Sequence, residues 1–168
     1  MDKLFWGKLF WGKVFLFLHV MGAIAALGPT LTYRIWTSLA EKADAGTRAF
    51  VLRSIALLDA RLPTPAFIAQ AVTGVFLIWL RGWSFFSTGW LVIGVRIYIA
   101  MVVTAVAVYA LAFHRQQTLA EAVAADPSNA EAANAYALAA RTSTIYGVAV
   151  TAMTVLIVFF MVWKPNVW

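Results

Sequence analysis

The stretch TSTIYGVAVTAMTVLIVFFMVW, residues 142–163, holds 22 residues without a single charge. About 20 apolar residues in a helix cross the roughly 30 Å of bilayer hydrocarbon, so this segment reads as one complete span. Two more uncharged runs of similar length follow from the same count, Val14–Tyr33 and Leu62–Leu80. A fourth, Gly82–Phe113, is too long for one crossing and contains Arg96. Its opening residues WSFFSTG, 83–89, read as an interfacial turn, which starts the span near Trp90. Lipid gives a backbone no hydrogen bonds, so only helices or closed barrels span it, and continuous apolar runs lack a barrel's alternation. The expected fold is therefore all-α: an integral membrane antiparallel bundle of four transmembrane helices, at about 14–36, 62–80, 90–113 and 142–163.

Composition supports this reading from outside those runs. The chain of 168 residues is 63% hydrophobic and 12% charged, against roughly 45–50% and about 25% in a soluble domain. With no cysteine, disulfides, thiolate nucleophiles, iron–sulfur clusters and cysteine-ligated haem are excluded. The net charge of +6 would suggest nucleic acid in a soluble protein. Here the basic residues flank apolar runs, so the expected counter-charge is the lipid bilayer and no nucleic acid partner is expected.

The two long connections fall on one side of the membrane. Residues 43–61 mix Phe50, Val51, Ile55 and Leu58 with Arg48, Arg53, Asp59 and Arg61, which predicts an amphipathic helix along the membrane surface. Pro63 and Pro65 separate it from the second span. Residues 115–141 are alanine-rich and polar, and predict an extramembrane helical hairpin that turns at Asp126-Pro127, with Asp126 as the helix cap. At the other side, KLFWGKLFWGK (3–13) repeats a pentad. Its Lys3, Lys8, Lys13, Trp6 and Trp11 are expected to be interfacial anchors, and the apolar run after them is too long for a signal peptide. Lysine and arginine counts on the two sides lean slightly towards termini facing out.

Few residues in the spans carry chemistry. His19 lies six residues beyond Lys13 and Arg96 six beyond Trp90, placing both roughly 9 Å in from the same interface. His114 ends the third span at the opposite surface, so the two histidines cannot share a metal. Arg96 calls for an anion, and the spans contain no Asp or Glu. A ligand carboxylate, a haem propionate or a lipid phosphate would each serve, or the side chain snorkels to headgroups. His19 is a candidate haem ligand, or else a neutral interhelical hydrogen-bonder. Lys164 would assist at the same interface. Gly22 and Ala26 suit close helix approach, Gln70 and Thr73 suit interhelical hydrogen bonds, and Pro29 predicts a kink in the first helix. The methionines are expected to be packing.

The segment FLHVMGAIAALGPTLTYRIW, 17–36, resembles the first helix of small bacterial membrane proteins related to HemJ and to the copper-resistance protein CopD. In those proteins an early histidine is followed about fifteen residues on by Tyr and Arg. PTPAFIAQAVTGVFLIW (63–79) and FMVWKP (160–165) resemble an uncharacterised four-helix branch of that superfamily, a predicted integral membrane protein. HemJ-type proteins are haem-b-associated protoporphyrinogen oxidases, so the resemblance implies a haem b ligand at His19. The sequence departs from the HemJ pattern at AALGPT (25–30), where a Trp is expected, and has no second His after Arg34. Copper transport would call for Met and His clusters that the chain lacks.

Two functions follow as expectations. One is a structural or accessory subunit of a larger assembly in the cell (inner) membrane, with other membrane protein subunits as partners. The other is a b-type haem-binding redox protein, with His19 as metal ligand and Arg96 and Lys164 at the propionates. No catalytic constellation completes an enzyme assignment.

Overall fold

The computed structural model describes residues 3–167, and among them every regular element is helical. Four long helical runs meet the length and apolarity needed to cross a membrane. The elements are α1 (Lys3–Ala40), α2 (Ala45–Arg61), α3 (Pro63–Arg81), a 3₁₀ turn (Phe85–Ser87), α4 (Gly89–Thr104), a π-helical segment (Ala105–Tyr109), α5 (Ala110–Ala125) and α6 (Ala130–Trp163). The side chain of Lys3 lies outside the described residues.

Length separates membrane from head. With 38 residues in α1 and 34 in α6, these helices extend about 57 and 51 Å at 1.5 Å per residue, well beyond the hydrocarbon. Inside the spans α1 packs on α3 and α4 packs on α6. Tyr98 on α4 ties the two pairs together by donating its hydroxyl to the Phe67 carbonyl at 2.7 Å. Small residues set the close approaches. A Cβ on Gly22 would lie 2.5 Å from the Gln70 amide nitrogen, and one on Gly94 would lie 2.9 Å from the Met161 methyl. Ala26 is fully buried.

Pro29 leaves α1 unbroken. Thr30 donates to the Ala26 and Leu27 carbonyls, both at 3.0 Å. The carbonyl that the proline's missing N–H leaves open is that of Ala25, four residues earlier, so these bonds add to the neighbouring turn and do not replace the lost one. Leu62 separates α2 from α3, with Pro63 at the first turn where its missing donor costs nothing. Gly82 ends α3 in the left-handed region at φ 66°, which only glycine enters freely.

The principal buried apolar cluster sits at the end of the bundle formed by α2, α5 and the start of α6. Leu52 of α2 packs with Ala120 and Val123 of α5 and Tyr136 of α6. The 43–61 helix thus lays one apolar side, Leu52 and Ile55, inward, and packs directly on α5 of the hairpin. Phe50, Leu57 and Leu58 remain exposed on it. The physical reason is that α5 runs on as helix to Ala125 and offers an alanine-rich flank that α2 can approach closely.

The hairpin turns where expected but is capped elsewhere. Asp126 closes an Asx turn on Ser128, accepting from its N–H at 3.1 Å and its hydroxyl at 2.6 Å. The cap of α6 is Asn129, whose side chain accepts from Ala132 N–H at 2.9 Å. An Asp engaged two residues on has no free oxygen geometry for a helix end, so the start of α6 moves to the next capping residue.

A polar network braces the head. Glu41 at the end of α1 accepts from the Tyr136 hydroxyl, Gln116 reaches the same hydroxyl at 3.4 Å, and Ser143 donates to Gln116. Arg48 lies 5.1 Å above the Tyr136 ring and 3.8 Å from Glu41. Burial and the Glu41 carboxylate raise the Tyr136 phenol to about 12, so it stays a donor at neutral pH. Leu52→Ala should cost about 2–5 kcal/mol and expose α2 to proteolysis at Arg48 and Arg53. Leu156→Ala, on the exposed face of α6, should leave the melting temperature in detergent nearly unchanged.

Candidate functional site

His19 is held between α1 and α3. Its Nδ1 lies 2.8 Å from the Thr73 hydroxyl. With that hydroxyl donating to the Ala69 carbonyl at 2.7 Å, it accepts from the ring and the Nδ1–H tautomer results. Gln70 donates to the His19 carbonyl, and the His19 Cε1 lies 3.5 Å from where a Gly74 Cβ would stand. Two polar contacts from adjacent turns of α3 therefore grip one turn of α1. Nε2 carries a lone pair and makes no hydrogen bond among the described residues.

The other two predicted site residues lie elsewhere. Arg96 is exposed on α4 and makes no hydrogen bond or ion pair among the described residues. Lys164 caps the C-terminus of α6. Its ammonium sits 5.3 Å from the ring centres of both Trp83 and Trp90. No hydrogen bond, ion pair or ring contact joins any two of His19, Arg96 and Lys164 among the described residues. Cavities of about 430 Å³ beside Val75 and Trp79 and about 300 Å³ beside Trp90 and Lys164 are lined by neither His19 nor Arg96. Neither of these two cavities brings His19, Arg96 and Lys164 together.

Gln70 and Thr73 are the interhelical hydrogen-bonders that their residue types suggested. Met101 packs as its residue type suggested, buried and accepting from Thr154 at 3.1 Å, whereas Met21 is exposed.

The family model described as "Predicted integral membrane protein (DUF2269)" matches residues 13–165. The chain belongs to that family. It is thus a multi-pass integral membrane protein of a family of unknown function. The match bears on this family and not on HemJ or CopD. Comparison with curated proteins and with solved structures finds no match.

One cluster escaped the sequence reading. Asp59 of α2 is half-buried where α1, α3 and the π-helical segment meet, and accepts from Thr64 at 3.1 Å. Tyr33 and Tyr109 face it electrostatically, yet the buried Tyr33 hydroxyl has no hydrogen-bond partner among the described residues. Burial raises the Asp59 carboxyl above its ordinary 3.8, and the Thr64 hydroxyl that donates to it only partly opposes this. The available signal was the Thr five residues after the Asp across Pro63.

A carboxyl raised in the fold binds its proton more tightly there than in the unfolded chain. Its contribution is most favourable below 3.8 and declines as pH rises through the elevated value. Asp59→Asn should therefore raise the melting temperature of the detergent-solubilised protein at neutral pH. The two melting curves should converge in acid, and a variant less stable than wild type at neutral pH would contradict the assignment.

Proposed function

We propose that the protein is a structural or accessory subunit of a larger membrane assembly, in the cell (inner) membrane. The observation that carries this is the apolar stripe left uncovered on the extramembrane head. Phe50 and Leu57 are 70% and 56% exposed on α2, seven residues apart and so on one helical face, with Leu58 beside them. Outside hydrocarbon, such a stripe marks a surface made to be covered by a partner. Within the spans, the polar side chains join helix to helix: His19 to Thr73, Gln70 to the His19 carbonyl, Tyr98 to Phe67. Only 6% of the most apolar window of α1, and the same of α6, is buried inside the chain, which leaves wide faces for lipid or neighbouring subunits.

Mild extraction followed by a native gel tests the reading. Wild type should migrate in a complex larger than the bare chain. The double variant Phe50→Ser, Leu57→Ser should migrate alone with its helix content intact. Migration of wild type as the bare chain would refute a subunit role.

A second reading rests on one atom. The fixed tautomer of His19 leaves Nε2 directed by a hydrogen bond on the other nitrogen, the arrangement that orients metal-binding histidines. A haem b bound there would supply one-electron redox chemistry. Oxidised and dithionite-reduced absorption spectra of protein expressed with haem supplied separate the two readings. The subunit reading expects a flat visible spectrum, and a Soret band lost in His19→Ala would establish the haem reading instead.

A further inference from the structure

Charge is divided unevenly between the two ends of the spans. All six acidic residues among the described ones, Glu41, Asp44, Asp59, Glu121, Asp126 and Glu131, belong to the head side. The side that carries the termini has Lys8, Lys13, Arg81 and Lys164, and no carboxylate among the described residues. The one ion pair among the described residues, Arg48 with Glu41, also belongs to the head. Among the described residues, the cations of that end thus have no carboxylate counter-charge.

At that end lies a cavity of about 300 Å³ between the 3₁₀ turn and the chain after α6, lined by Ser87, Thr88, Trp90, Lys164 and Asn166 among others. Its polar surface is unusual for a depth marked by tryptophans. Trp83 and Trp90 pack edge to face at 5.2 Å, and together hold the Lys164 ammonium, 5.3 Å from each ring. Lys164 is the only non-glycine residue with positive φ among those described, at 46°. This left-handed turn carries the chain from α6 into the segment that walls the cavity. Cation–π contacts fix the ammonium in place but leave its N–H donors without acceptors among the described residues.

We infer that this cavity seats the phosphate of an anionic phospholipid, with Lys164 as its counter-charge. Interfacial tryptophans set the depth of the headgroup layer, and a lysine there meets phosphate as a point charge. Arg96 sits seven residues after Gly89 and so on nearly the same face of α4. Its side chain leans towards the helix start, as helical side chains do, and adds a second cation on the path to the headgroups. The inference does not depend on the subunit or haem readings.

Native mass spectrometry of the full chain in detergent, titrated with phosphatidylglycerol or phosphatidylcholine, tests it. Phosphatidylglycerol should bind in preference to phosphatidylcholine. Lys164→Gln should weaken it about fivefold, the value of one surface cation at an anionic membrane. Lys164→Arg should restore it, and Lys8→Gln should change it far less. Equal losses in Lys164→Gln and Lys8→Gln would reduce the effect to diffuse charge and overturn the site. Inorganic phosphate binding as well as the lipid would overturn the lipid assignment. A photoactivatable phosphatidylglycerol, cross-linked to wild type, covers the case in which Lys164→Gln does not fold. Cross-links should map to peptides containing residues 83–90 or 164–167, and cross-links confined to other segments would refute the proposal.

Discussion

Hydrocarbon supplies no hydrogen bonds, and the helical backbone and most polar side chains of the spans answer to that fact. Backbone groups close on themselves in helices, which is why long uncharged runs become α1, α3, α4 and α6. Threonines inside the spans bond carbonyls a turn earlier, as Thr104 does with Ala100 and Thr151 with Gly147. The larger polar side chains have no such local solution and must find another helix. His19, Gln70, Thr73 and Tyr98 do so, and each thereby specifies which helices are neighbours. Such bonds are individually worth only about 0.6–2 kcal/mol. Their value lies in fixing rotation and register where apolar packing against lipid-like surfaces discriminates poorly.

In water the same chain obeys the opposite rule. The head buries Leu52, Ala120 and Val123 as a soluble protein would, and braces them with the Glu41–Tyr136–Gln116–Ser143 network. The helices that carry the spans run straight into this head. A membrane half built outward-facing and a head built inward-facing therefore share three continuous helical rods, and Asp59 sits at the seam between the two regimes.

What could be read in advance follows from which forces are local. Apolar length and the proline breaks gave the helices, because both act through the chain's own neighbours. Gln70 and Thr73 were legible as interhelical bonders because a polar side chain in lipid has few other uses. The Asn129 cap was not, because Asp126 and Asn129 are both good caps and the Asx turn on Ser128 decided between them. Asp59 looked like one charge among several on a surface helix. Its burial depends on where Tyr33 and Tyr109 arrive, and those come from 26 residues earlier and 50 later in the chain. Whether His19, Arg96 and Lys164 touch was not legible for a related reason. Equal depth fixes distance from an interface but says nothing about position around the bundle.

The π-helical segment Ala105–Tyr109 has a mechanical meaning. One residue more than an α-helix needs is absorbed there, and each residue turns a helix by about 100°. The rod from Gly89 to Ala125 therefore changes the face it presents partway along, with α4 and α5 both packed on α6 and α5 also packed on α2. The Tyr109 ring, 3.1 Å from where a Gly147 Cβ would stand, fills the space that this widened turn opens against α6. The segment sets a fixed angle between α4 and α5, so the side of α5 on which α2 packs is determined by how α4 seats on α6.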